Sequence, residues 1–312
     1  MSKKVAFIFP GQGSQSIGMG EDFYNSSDIA KEMIKKAGER ISVDFQEILF
    51  KKNELLGQTQ YTQPAILLVS CIALKLFQER SDIKPDFVLG HSLGEFSALV
   101  AAGAIDYLDA IELVHKRGLF MNEACDGIGA GMMALVGLDD ETVETMTKEQ
   151  RESGKKIWAA NYNLDGQIVV AGMKSDLESL VDTFKNAGAK RAIVLDMSVA
   201  SHCELLSSAV DKLNPYLEQF ITNNFNCDVI SNVTAKNYNT KDEAIDLLGR
   251  QLISPVKYKH SIKEHNNVDF FIEFGNGAVL KGLNRKIIKS IPTLNISDTK
   301  SLEDTLTKLD EN

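Results

Sequence analysis

The chain has 312 residues, 44% of them hydrophobic, enough to bury a full core and to divide into two units. Acidic residues outnumber basic ones, 43 against 34, and a net charge of -9 argues against a large contact surface for phosphate backbones, so nucleic acid is not an expected partner. The four cysteines, Cys71, Cys125, Cys203 and Cys227, lie far apart without metal-ligand spacing, as the reduced thiols of a cytoplasmic protein would, and no metal is expected.

The N-terminus carries two lysines and a short apolar run before Pro10, too brief for the core of a signal peptide. Residues 4–9 read as a strand apolar on both faces, hence central and covered by helices, and it ends in a Pro-Gly-Gln-Gly loop. Helical stretches follow near residues 21–39 and 64–80, then a second buried strand at 86–89. Residues 90–94 turn that strand into a helix over 95–102, and another helix is expected over 107–122. The small-residue stretch 96–105 falls short of a membrane span, and no membrane is expected as a partner.

From residue 131 the pattern changes to strand 132–136, helix 140–150, strands 156–162 and 167–171, helix 175–186 and strand 191–197. That order, βαββαβ, is the ferredoxin-like unit. Strands near 228–232 and 269–274 then resume the first pattern, so the unit reads as an insertion. The expected fold is α/β: a discontinuous large domain, residues 1–127 and 199–312, with a parallel sheet, and a small subdomain at 128–198.

Gly90-His91-Ser92-Leu93-Gly94 matches GxSxG between a buried strand and a helix, the context in which that pattern makes a nucleophile elbow. The turn exposes the Ser92 hydroxyl at a helix N-terminus, where the Leu93 N–H can bond a developing oxyanion. The bland alternative is a helix-capping serine. A second oxyanion donor is sought in the glycine-rich loop Gly11-Gln12-Gly13, whose spacing to Ser16 and Gly18 fails the dinucleotide fingerprint.

Among five histidines, His91 cannot easily turn back on the adjacent serine, His260 and His265 fall in a Lys-rich stretch read as solvated helix, and His115 sits off an apolar stripe. His202 lies in a loop after the strand 191–197, where α/β folds gather catalytic groups, although a helix-start histidine can equally serve packing. Arg117 falls on the apolar stripe Ala110, Val114, Met121 of its helix. A charge there requires an anion, either an internal carboxylate or one brought by a substrate.

Phe9-Pro10-Gly11-Gln12-Gly13-Ser14-Gln15, the elbow with Glu95, Arg117-Gly118, Ser201-His202-Cys203 and Gln251-Leu252 with Pro255-Val256 occur in that order. Together they make the chain resemble the malonyl-CoA:acyl carrier protein transacylases of type II fatty acid synthesis, over nearly its whole length. The resemblance implies a hydrolase-like α/β domain with an inserted ferredoxin-like subdomain. It also implies a malonyl transfer through Ser92, with His202 as base and then acid, and with the backbone amides of Gln12 and Leu93 as oxyanion hole. Arg117 would pair with the malonyl carboxylate, the Gln251 main-chain carbonyl would orient the histidine, and Asn161 and Asn163 would line the cleft; in the residues alone, those asparagines could equally form a turn.

No bound cofactor is implied, coenzyme A entering only as the thioester substrate, and the expected partners are malonyl-CoA and holo acyl carrier protein, met by a monomer. Lys281, Arg285, Lys286 and Lys289 on one predicted helix, joined by Lys190 and Arg191, are candidates for docking an acidic carrier, or an ordinary solvated face. Rival readings are a serine hydrolase or thioesterase, and a methylmalonyl-type polyketide acyltransferase, whose signature Val199-Ala200-Ser201-His202 resembles. The chain departs from the family where Asn122 stands for a frequent Gln and where Gly275-Asn276-Gly277 stands for Gly-Pro-Gly.

Overall fold

The computed structural model describes residues 3–197 and 199–311; the expected domain limits at Met1, Ser198 and Asn312 lie outside the described residues. Ten strands appear among the described residues: β1 (Val5–Phe9), β2 (Phe87–Gly90), β3 (Ala130–Val136), β4 (Ile157–Leu164), β5 (Gln167–Met173), β6 (Arg191–Val194), β7 (Asp228–Ile230), β8 (Asn237–Tyr238), β9 (Phe270–Phe274) and β10 (Thr293–Ile296). They form a six-stranded sheet in the order β10-β9-β1-β2-β7-β8 and a four-stranded sheet in the order β4-β5-β3-β6. The larger sheet is parallel except for β8, an antiparallel edge on β7. All five residues of β1 are buried, which is what a strand with helices on both faces demands of its side chains.

The expected helix 64–80 starts earlier, at Thr59, and runs to Gln78 with Pro64 inside it. Pro64 has no N–H for the Gln60 carbonyl one turn back, and His115 Nδ1 bonds that carbonyl instead, at 2.8 Å. This helix is long and apolar enough to cross a membrane, yet 83% of the apolar window is buried inside the protein, where it packs on the sheet and on the helix Tyr107–Cys125. Two other expected helices are broken. Ser27, extended, ends one helix and caps the next, its hydroxyl accepting from Ala30 N–H, so 21–39 becomes Glu21–Ser26 and Asp28–Ile41. The stretch 175–186 divides into Lys174–Ser179 and Val181–Asn186 at Leu180, whose N–H bonds three residues back to Leu177.

The smaller sheet is wholly antiparallel, and its strand order is that of a ferredoxin-like unit, with a core of its own around Met133, Leu135, Ile157, Ile168 and Phe184. It is tied to the larger sheet's layer by a bridge, in which Val256 N–H donates to Ala160 O at 2.8 Å and Tyr162 N–H donates to Val256 O at 2.9 Å. The Lys-rich helix Tyr258–Glu264 is not a solvated one. Lys259 is buried, its ammonium held by Asp140 at 2.7 Å and Asp165 at 3.1 Å from across the junction.

Candidate active site

β1 and β2 run side by side with Phe9 opposite Gly90, so the loop after β1 and the turn after β2 leave the same sheet edge together. The turn is tight because it holds no side chain where strand and helix meet: a Cβ on Gly90 would overlap the Gly94 backbone, and one on Gly94 would overlap the Phe9 carbonyl oxygen. Between them Ser92 is held at φ 53°, the left-handed region that an L-residue occupies only when its surroundings force it. Asn232, just past β7, supplies that force: its Oδ1 accepts the Ser92 N–H at 2.6 Å and its Nδ2 donates to Gly90 O at 2.7 Å.

Ser92 Oγ lies 2.8 Å from His202 Nε2, and His202 Nδ1 lies 2.7 Å from the Gln251 carbonyl oxygen. A carbonyl only accepts, so Nδ1 carries the proton and Nε2 faces the serine as an acceptor, the tautomer a general base needs. Burial, and then the nearby positive charge of Arg117, lower the His202 pKa to about 3. The other histidines are engaged elsewhere: His91 Nε2 with Asn163 Oδ1 at 2.7 Å, His115 with Gln60, His265 with the Ala235 carbonyl, and His260 beside Asp140.

Arg117 is 1% exposed. Its hydrogen bonds go to neutral groups: Gln63 Oε1 at 2.8 Å, Gln251 Oε1 at 3.0 Å and Ser92 Oγ at 3.3 Å, with its guanidinium over the Phe96 ring at 5.3 Å. Burial lowers its pKa to about 10, which leaves it charged at neutral pH. Among the described residues no carboxylate pairs with it at ion-pair distance; the buried Glu95 carboxylate acts on it only through the Gln251 side chain, so no internal anion is in direct contact.

Gln12, Ser92, Leu93, Arg117, Asn161 and His202 line one cavity of about 1090 Å³ between the two sheets. The Gln12 and Leu93 N–H groups donate to no acceptor among the described residues, and Asn163 lines the same cavity. The basic candidates are divided. Lys281, Arg285 and Lys286 are exposed on the helix Val279–Ile287, which packs against β4, and Lys289 lies past its end; Lys190 and Arg191 are at β6, the opposite edge of the small sheet. They form no single patch.

A family model described as an acyl transferase domain matches residues 6–303. The malonyl CoA-acyl carrier protein transacylase of Bacillus subtilis (strain 168) is 41% identical over 303 residues, which cover 96% of this chain and 95% of that protein. The chain belongs to the malonyl-CoA:acyl carrier protein transacylase family. Among solved members, the transacylase of Helicobacter pylori superposes with a TM-score of 0.95 at 43% identity, covering 99% of both chains. A malonyl-transacylase in complex with a type II polyketide synthase acyl-carrier protein superposes with a TM-score of 0.93 at 36% identity, covering 99% of this chain and 100% of that one.

Two places where this transacylase departs from the family pattern are accounted for by local bonds. Asn122 Nδ2 donates to Gln60 Oε1 at 3.2 Å, and Asn276 Nδ2 donates to Ser14 O at 2.6 Å and Ser16 Oγ at 2.9 Å, tying down the loop that presents Gln12. The sequence reading missed Gln63, Asn232 and any part for Glu95. Gln63 and Asn232 carried no signal beyond polarity; Glu95 did, as a charge in an otherwise apolar helix, the same signal that singled out Arg117.

Proposed function

We propose that the protein transfers a malonyl group from malonyl-CoA to the phosphopantetheine thiol of an acyl carrier protein, supplying fatty acid synthesis. The observation that carries this is the buried Arg117 guanidinium, 3.3 Å from Ser92 Oγ and bonded only to neutral groups. An acyl group on Ser92 that carries a free carboxylate would supply an anion in direct contact through two parallel hydrogen bonds.

In the first half-reaction Ser92 Oγ attacks the thioester carbonyl while His202 Nε2 takes its proton, and the oxyanion is received by the Gln12 and Leu93 N–H groups. The C–S bond then breaks, His202 returns the proton to the coenzyme A thiolate, and malonyl-Ser92 remains. The carrier thiol repeats the sequence in reverse: it gives His202 its proton and attacks the ester carbonyl, and as the C–O bond breaks Ser92 Oγ takes that proton from His202 Nε2. The Gln251 carbonyl holds the imidazole throughout; being neutral, it stabilises imidazolium less than a triad aspartate would. Asn161 and Asn163 line the cleft, Asn163 fixed by His91.

The carrier-docking face is placed on Lys281, Arg285 and Lys286, because their helix follows the 275–277 loop that is bonded to the cavity-lining segment 12–16. Lys190 and Arg191, at the far edge, are left outside that face. Residues 128–198 are the small subdomain and 1–127 with 199–312 the large one, acting as a cytoplasmic monomer without a bound cofactor. The test is intact-mass spectrometry after brief exposure to malonyl-CoA. A single malonyl adduct on the wild type, missing in Ser92→Ala and Arg117→Ala, is expected; rapid release of free malonate without a carrier would favour a hydrolase.

A further inference from the structure

Behind the elbow lies a carboxylate that the reaction steps do not use. Glu95, on the first turn of the helix Gly94–Ala102, is fully buried, and three donors hold its two oxygens. Asn232 N–H and Gln251 Nε2 donate to Oε2 at 3.1 and 2.7 Å, and the Tyr238 hydroxyl donates to Oε1 at 3.0 Å. Two of these residues reach the site themselves. Asn232 binds the Ser92 N–H through Oδ1, and Gln251 bonds Arg117 Nη2 through Oε1, the Ser92 carbonyl through Nε2 and His202 through its main chain.

We infer that Glu95 is a positioning residue, whose ionised carboxylate fixes the Gln251 side-chain amide with its oxygen toward Arg117 and thereby aims the guanidinium at the acyl group on Ser92. The inference deepens the transacylase reading and rests on it. The physical reason is the asymmetry of a primary amide, which has a donor end and an acceptor end. An ionised carboxylate only accepts, so Nε2 faces Glu95 and Oε1 is left for Arg117. A neutral amide at position 95 can present either end, and the flipped Gln251 would then point N–H groups at a cation.

The same chain of contacts, Arg117 to Gln251 to Glu95, places the anion nearest to the guanidinium in this network one side chain away from it. The carboxylate thus compensates a desolvated charge without occupying the position that the substrate carboxylate needs. Burial raises the Glu95 pKa to about 7 against the pull of Asn232, Gln251, Tyr238 and Arg117. At neutral pH the group is therefore partly ionised, and the three donors aimed at its oxygens favour the accepting form.

The experiment is a double-mutant cycle on malonyl-Ser92 formation, followed by rapid-quench intact mass, for wild type, Glu95→Gln, Arg117→Ala and the double variant. Each is also labelled with a fluorophosphonate, which needs Ser92 and His202 but offers no carboxylate to Arg117. Glu95→Gln should slow malonylation about ten- to a hundredfold, the range for one charged hydrogen bond, and should add little in the Arg117→Ala background. Fluorophosphonate labelling should change far less.

Additive losses, an unchanged malonylation rate, or an equal loss in both assays would overturn the inference. No malonyl adduct on the wild type would overturn the transacylase reading itself. Should Glu95→Gln fail to fold, Tyr238→Phe removes one donor from the carboxylate without touching the site. It should slow malonylation more than fluorophosphonate labelling, and equal rates of each relative to wild type would refute the role.

Discussion

Replacing Arg117 by alanine is the perturbation whose size the site geometry constrains best. In the substrate-bound state the change removes one partner of a buried, doubly hydrogen-bonded charge pair and leaves the malonyl carboxylate desolvated. Losses of this kind amount to about 3 to 5 kcal/mol, or about two to four powers of ten in kcat/KM. In the free protein the same change deletes a costly buried cation but orphans the acceptors Gln63 Oε1 and Gln251 Oε1, so the folded state should lose only about 1–3 kcal/mol. The assay is transfer from malonyl-CoA and from acetyl-CoA to holo acyl carrier protein, with thermal melting as the check on folding. Malonyl transfer should fall by the stated factor while acetyl transfer, which has no carboxylate to hold, should be unchanged or rise relative to it. Equal losses with both donors would refute the assignment of Arg117 to the acyl carboxylate. Arg117→Lys should restore little, because one ammonium cannot reproduce the two parallel bonds.

Because His202 stays neutral down to about pH 3 when folded but takes up a proton near its ordinary 6.5 when unfolded, its contribution to stability is lost as pH falls from 6.5 toward 3. Fluorophosphonate labelling of Ser92 should accordingly show no His202-dependent midpoint near pH 6.5; finding one would contradict the buried, neutral base. Gly94→Ala should cost more than about 3 kcal/mol, read as a fall in melting temperature or loss of soluble protein, because its Cβ meets the Phe9 carbonyl and not a movable side chain. Charge reversal at Lys281, Arg285 and Lys286 should raise KM for the carrier about tenfold and leave Ser92 malonylation by malonyl-CoA unchanged, whereas reversal at Lys190 and Arg191 should change neither quantity.

What could be read in the sequence was whatever local spacing encodes. The elbow was legible because glycines two before and two after a serine, between a buried strand and a helix, leave few other backbones. Arg117 was legible because a charge on an apolar stripe stands out, although periodicity reports the buried face and not the partner that waits there. The βαββαβ order gave the small sheet for the same reason, while the breaks at Ser27 and Leu180 turn on single hydrogen bonds that helical periodicity does not register. Asn232, Tyr238 and Glu95 meet across more than 130 residues of sequence, so nothing local announced their network. The Lys-rich helix looked solvated because composition cannot show that Asp140 and Asp165 arrive from the other subdomain to bury Lys259. The basic residues failed as one patch for a related reason: strand order, which places β6 and β4 at opposite edges, is a property of the folded sheet.

The mechanism requires that Ser92 carry the acyl group from one thiol to another. Its most direct test is to isolate the malonylated protein free of coenzyme A, divide it, and add holo acyl carrier protein to one half and buffer to the other. Quantitative appearance of malonyl on the carrier thiol, with a stable ester in buffer, is the expected result. Loss of the malonyl group as free malonate at the same rate in both halves would contradict a transfer through Ser92.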